Sequence, residues 1–183
     1  MRKILYSALA IAVAALCVFA FLKLRKDNEY KILYSNEISA ASEEFSVPQE
    51  LIYAIIRTES GFDAAAKSKA GAMGLMQLLP STFEEVAGRL KETPELTMIS
   101  DPVYSIRYGT FYISYLIRYF GNEGTAIAAY NAGMGNVRSW LVDSRYSDDG
   151  KTLKAYPYRE TENYVNKVVA AREKYKSIIG GMK

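Results

Sequence analysis

Apolar residues recur along this chain at helical rather than alternating spacing. An uncharged run from Ile4 to Leu22 comes first, and short amphipathic segments punctuated by Gly and Pro follow it. Residues 23–45 read as a charged stretch leading into a helix that carries Ile32, Leu33 and Ile38. In SVPQELIYAIIRTES, Leu51, Ile52, Ile55 and Ile56 form one stripe, which predicts a helix to about Ser60, stopped by Gly61. Ser46 with Gln49 has capping-box spacing, with Pro48 in the first turn where a missing N–H costs little. Residues 61–73 read as a loop, and Ser81 with Glu84 repeats the capping box at the start of a helix ending near Leu90.

After a second loop over 91–100, Asp101 and Pro102 have the signature of a helix start. Val103, Ile106, Phe111, Ile113, Leu116, Ile117 and Phe120 keep that helix going to Gly121. A helix from about Glu123 to Tyr130 leads into the turn NAGMG, then a short helix over NVRSWLV. Residues 143–158 read as a polar, Tyr-rich surface loop or short hairpin. A last helix, about Glu160 to Lys176, carries Tyr164, Val165, Val168, Val169 and Ala171. No convincing period-2 run and no internal repeat interrupts this pattern, so the expected fold class is all-α.

One polar residue breaks the logic of the stripes. Glu59 follows Ile55 by four and Ile56 by three, which continues the apolar face of its helix. A carboxylate in apolar surroundings has its charged form disfavoured and its pKa raised, as a general acid near neutral pH requires. The bland alternative is a helix-end Glu paired with Arg57 or a Lys.

Composition narrows the chemistry. The 183 residues include no His and one Cys, Cys17, inside the apolar run. Ser-His and Cys-His nucleophilic machinery and His-containing zinc sites are thereby excluded, as is any intramolecular disulfide. No phosphate-cradling glycine motif follows a strand-like segment. Carboxylates, tyrosines and amides must carry any catalysis. Setting aside Arg2, Lys3, Lys23, Arg25, Lys26, Asp27 and Glu29 from the 23 basic and 20 acidic residues leaves 18 of each from Tyr30 onward. A neutral domain gives nucleic-acid binding no electrostatic support, and none is expected.

The 19 uncharged residues from Ile4 to Leu22 have basic residues on both sides. As a helix they span roughly 28 Å, close to the hydrocarbon thickness of a bilayer. Residues 1–27 therefore read as an N-terminal transmembrane anchor. The alternative is a cleaved signal ending near Ala20, although the apolar run continues through Phe21 and Leu22. Either reading exports residues 28–183, so the expected location is extracytoplasmic, membrane-anchored or released.

Four segments stand at helix ends and turns: Glu59-Ser60, Gly74-Leu75-Met76-Gln77, Ala129-Tyr130-Asn131-Ala132-Gly133, and Glu160-Thr161 with Tyr164-Val165. Singly, each reads as a turn, a core filler or a helix cap. Together and in this order they resemble the soluble-type lytic transglycosylases, whose catalytic domain is lysozyme-like, over roughly residues 45–176. The resemblance implies Glu59 as the sole catalytic acid and base. It implies Ser68 as a residue that helps hold that carboxylate and the reacting sugar, and Gln77 as part of the cleft wall. It implies Tyr130 with its hydroxyl near the acid and Asn131 beside it, and Glu160, Thr161 and Tyr164 as braces of the cleft. Glu162 stands where the family often has Arg, and Leu79 where it often has Met.

The implied partner is the peptidoglycan glycan strand, with no metal or organic cofactor. The implied reaction cuts the N-acetylmuramic acid–N-acetylglucosamine bond and closes a 1,6-anhydro ring. Three rivals stand beside it, one of them a membrane-anchored interaction domain unrelated to sugar, which only the N-terminal anchor supports. A lysozyme-type hydrolase would need a second carboxylate, for which Asp63 and Glu160 are candidates. A non-catalytic wall-binding module would need none.

Overall fold

In a computed structural model, residues 30–181 are described, together with Val13 and Leu16. The predicted membrane helix over 4–22 otherwise lies outside the described residues. Among the described residues no helix is long and apolar enough to cross a membrane. The chain divides into two compact units, 1–31 and 32–183, and the seven helices named here belong to the second.

These are α1 (Ser35–Phe45), α2 (Gln49–Glu59), α3 (Pro80–Leu90), α4 (Pro102–Phe120), α5 (Glu123–Ala132), α6 (Met134–Leu141) and α7 (Arg159–Gly180). A 3-10 turn, Leu96–Ser100, precedes α4 within the stretch read as a plain loop. Two isolated bridges, Lys67 with Met73 and Met73 with Leu78, are the β features of the described residues. The mainly helical expectation holds, and residues 143–158 form an irregular loop rather than a hairpin.

Helix α2 is the centre of the domain. Leu51 to Ile56 are six consecutive buried residues, so the helix is covered on every side rather than along one stripe. Each large apolar side chain buried this way contributes roughly 1.5–3 kcal/mol of transfer free energy. Its main partner is α7, where Tyr175 stacks on Tyr53 at 5.0 Å between centroids. Helix α4 packs against α1 and α5, and α5 packs against α7. Arg107 on α4 meets Glu44 of α1 at 2.7 Å and both carboxylate oxygens of Glu92 at 2.9 Å, while Tyr108 donates to Glu92 at 2.8 Å.

Helix starts separate the correct expectations from the incorrect ones. Asp101 caps α4, accepting from Val103 N at 2.9 Å and Tyr104 N at 3.4 Å, and Gly121 closes it at φ +65°. Neither capping box forms. Ser46 sits in the left-handed region at φ +56° as the end of α1, and Pro48 occupies the N-cap position of α2. Pro80 starts α3 one residue before Ser81, and Leu79 stands at its N-cap with no side-chain cap. Proline takes the helix-start position in both cases, because its fixed φ suits the first turn. Tyr34, at φ +58°, holds Ile32 and Leu33 outside α1; only Ile38 of that expected trio lies within it. Val169, expected on the apolar face of α7, is exposed.

Candidate active site

Glu59 is the last residue of α2, so the most buried helix carries this carboxylate to the wall of a cleft. Its position is set from both sides. The Ser60 hydroxyl donates to Leu75 O at 2.8 Å and accepts from Phe62 N at 3.2 Å, tying the helix end to the Gly74–Gln77 turn. That turn is itself locked. A Cβ on Gly74 (φ +78°) would lie 2.5 Å from Ile99 O and 2.8 Å from Ser105 Oγ, so only glycine fits. The Ser105 hydroxyl accepts from Met76 N at 3.2 Å, and Met76 itself is fully buried.

The cleft has a volume of about 500 Å³. Its wall includes Glu59, Ser68, Gln77, Tyr130, Asn131 and Glu160. Tyr164 approaches Glu59 from α7: its hydroxyl donates to Glu59 Oε1 at 2.7 Å. Thr161, one turn earlier on α7, is buried and donates to Asn131 Oδ1 at 2.9 Å, joining α7 to the end of α5. Tyr130 donates to Met76 O at 2.8 Å, which joins α5 to the locked turn. Gln77, at φ +49°, donates through Nε2 to Gly74 O at 2.9 Å and Ala66 O at 3.1 Å. The Ser68 hydroxyl accepts from Ala72 N at 3.0 Å, and Ser68 N donates to Ala72 O at 2.9 Å, closing a tight loop at the cleft edge. Glu160 is exposed in the first turn of α7.

All seven expected substrate-binding residues and Glu59 therefore gather around one cleft, Thr161 and Tyr164 from behind its wall. Tyr112 was not anticipated. It lines the cleft from α4, with its ring 5.5 Å from that of Tyr130. A signal existed in the helical spacing of Tyr104, Tyr108, Tyr112 and Tyr115, but it does not distinguish cleft from core. Lys69, Thr82 and the exposed Leu79 also line the cleft. Asp63, one candidate for a second carboxylate, is exposed, accepts from Ala65 N, and is not part of the cleft lining.

Burial raises the Glu59 pKa from 4.5 to about 7, and the Tyr164 hydrogen bond opposes part of that rise. The same burial and the charge of Glu59 hold Tyr130 and Tyr164 well above the usual tyrosine range. The site thus keeps a carboxyl group titrating near neutrality instead of near pH 4.5 and surrounds it with hydroxyls that do not ionise there. Among the described residues no cluster of three His, Cys, Asp or Glu side chains gathers to hold a metal.

Comparison with known proteins bears on the family and the fold. The family described as Transglycosylase SLT domain matches residues 36–153. The chain belongs to this family. The SLT chain is 32% identical over 159 residues to the soluble lytic murein transglycosylase of Escherichia coli K12, covering 84% of this chain and 24% of that protein. It is 29% identical over 161 residues to the membrane-bound lytic murein transglycosylase C of Haemophilus ducreyi, covering 73% and 43%. Among solved structures it resembles an inactive mutant of the lytic transglycosylase Slt from Pseudomonas aeruginosa. That match has a TM-score of 0.73 and 30% identity, over 82% of this chain and 25% of the other. It also resembles a 70-kDa soluble lytic transglycosylase complexed with bulgecin A, with a TM-score of 0.74, 31% identity and the same coverage. The SLT chain thus spans about a quarter of the length of the soluble relatives it matches.

Proposed function

We propose that this SLT chain cleaves the β-1,4 bond between N-acetylmuramic acid and N-acetylglucosamine in peptidoglycan, as a lytic transglycosylase with Glu59 as its acid and then its base. The observation that carries the reading is Glu59 itself: partly buried in the cleft wall, with a pKa of about 7 and a tyrosine hydroxyl on one oxygen. Protonated Glu59 donates to the glycosidic oxygen as the C1–O bond breaks. The resulting carboxylate then accepts the proton of the muramic C6 hydroxyl as that oxygen closes on C1. The glycan is cut, a 1,6-anhydro ring forms, and no water is consumed.

One carboxylate is sufficient for this sequence, whereas hydrolysis by the usual route needs two across the scissile bond. Of the two candidates for a second carboxylate, Asp63 stands off the cleft lining, which supports the one-carboxylate reading, whereas Glu160 lines the cleft and is exposed. An intramolecular hydroxyl outcompetes water when it is held against the reacting carbon, because its effective concentration is very high. Tyr112 and Tyr130 offer flat apolar faces with polar tips, the surface a sugar ring packs on. Ser68, Gln77, Asn131, Glu160 and Thr161 shape and brace the groove in this reading. Residues 1–27 hold the domain at the membrane facing the wall, or are removed to release it.

Mass spectrometry of the products from purified wall sacculi tests the proposal. Anhydro ends, lighter by one water than hydrolysed ends, are expected, and Glu59→Gln is expected to abolish their release. Reducing muramic ends would replace the proposal with a hydrolase, and unchanged turnover in Glu59→Gln would remove the acid.

A further inference from the structure

A concavity of about 710 Å³ lies apart from the cleft that holds Glu59 and shares no lining residue with it. It lies where the end of α4, the end of α6 and the 149–152 loop meet. Three cations from three separate segments face it: Arg118, Arg138 and Lys151. Elsewhere Arg89, Arg107, Arg145 and Arg172 each meet a carboxylate. Arg118, Arg138 and Lys151 have no ion-pair partner among the described residues.

The one acid that lines the groove, Asp149, is ionised and offsets one of the three charges, which leaves the lining net positive by two. Asp149 Oδ1 accepts from Lys151 N at 2.8 Å, Thr152 N at 2.7 Å and Ser147 Oγ at 3.2 Å, so it serves as the brace of the loop. The buried Thr125 hydroxyl fixes the same loop from α5, donating to Lys151 O at 3.2 Å and accepting from Leu153 N at 3.3 Å. The loop that presents Lys151 is therefore built in one shape. Complementing a helix C-terminus explains Arg118 or Arg138 taken alone. It does not explain Lys151, which belongs to no helix, nor the convergence of all three.

Helix α6 connects this groove to the cleft. Gly133, at its N-terminus, lines the cleft, and Arg138, Leu141 and Val142, at its far end, line the groove. Eight helical residues separate the two sites by about 12 Å. Resting on the glycan reading of the cleft, we infer that this groove is an exosite for the carboxylates of peptide stems carried by the strand whose sugars occupy the cleft. Two guanidinium groups and an ammonium suit carboxylates. The exposed Tyr119 and the 87% exposed Val142 beside them suit the apolar side chains of a peptide better than a phosphate polymer.

The test is cosedimentation of the full chain carrying Glu59→Gln, so that no cleavage occurs, with three preparations. These are intact sacculi, stem-free glycan made by amidase digestion, and sacculi stripped of phosphate-bearing polymers by mild acid. Arg118→Ser with Arg138→Ser is expected to weaken binding to intact sacculi about tenfold, in line with two partly exposed charge contacts, and to leave stem-free glycan unaffected. Lys151→Glu, which alters no helix end, is expected to act in the same direction. Equal affinity of all chains for intact sacculi would overturn the exosite, as would an equal loss on stem-free glycan. An arginine effect that disappears on acid stripping would assign the groove to a phosphate polymer instead. Failure of the glycan reading appears separately, as absence of anhydro products from the wild-type chain.

Discussion

Replacing Glu59 by Gln should make the protein more stable at pH 8 and no more stable at pH 4. Burial raises the Glu59 pKa from an ordinary 4.5 to about 7 in the folded chain. Below pH 4.5 the folded and unfolded chains both hold the proton, and the site costs nothing. Between pH 4.5 and 7 the unfolded chain releases it while the folded chain keeps it, so stability falls as pH rises. Above pH 7 the carboxylate is ionised inside the cleft and the loss is complete. A shift of about 2.5 units at 1.36 kcal/mol per unit makes that loss about 3 kcal/mol, an upper figure because the side chain is partly exposed. The substituted glutamine does not titrate, and its amide oxygen can still accept from Tyr164. Urea denaturation of both chains from pH 4 to pH 8, followed by circular dichroism, should show two curves that meet at low pH and separate through neutrality. Parallel curves would refute the buried-acid reasoning without any appeal to substrate.

Three further outcomes follow from the same geometry. Tyr164→Phe removes the hydrogen bond that lowers the Glu59 pKa, so the alkaline limb of the kcat/KM profile should move up by about one unit, given that a hydrogen bond to a charged group contributes about 1.5–3 kcal/mol; a limb that stays or moves down would contradict this. Gly74→Ala forces a Cβ to within 2.5 Å of Ile99 O at a positive φ, and thermal melting should register a loss of about 2 kcal/mol or more. Arg107→Ala strips Glu92 and Glu44 of their shared partner, and denaturation should show a loss of about 1–2 kcal/mol, smaller at high salt.

How much of this was legible in the chain depended on distance along it. Both ends of helix α4 were readable because Asp101, Pro102 and Gly121 are local signals acting within one turn, although Val103, expected among its apolar positions, is exposed. The capping boxes at Ser46 and Ser81 were misread for an equally local reason: Pro48 and Pro80 compete for the same helix-start positions. Glu59 could be singled out because its helical spacing opposes its polarity. Its partner could not be identified that way, since Tyr164 lies 105 residues further on and meets it only through the packing of α2 on α7. Tyr112 shares its helix with several tyrosines, and only the fold decides which one reaches the cleft. The Arg107 network joins α1, α4 and the loop at Glu92, contacts that no periodicity encodes.

The tuning of Glu59 comes from burial rather than from neighbouring charge, and this explains why a chain without histidine can hold a proton donor near neutrality. A cation in contact with Glu59 would favour the carboxylate and push its pKa back down; the group that contacts it is a neutral hydroxyl. That hydroxyl is kept neutral in turn, because burial and the charge of Glu59 both raise the Tyr164 pKa, and Tyr130 is held the same way. Each tyrosine thus remains a donor while Glu59 titrates, and one proton changes place instead of several. The alkaline limb of activity should therefore be a single ionisation near pH 7 in the wild-type chain. Such behaviour depends on rigid surroundings, since water entering the cleft wall would lower the Glu59 pKa. The Ser60–Leu75, Tyr130–Met76 and Thr161–Asn131 hydrogen bonds close that wall from three helices at once.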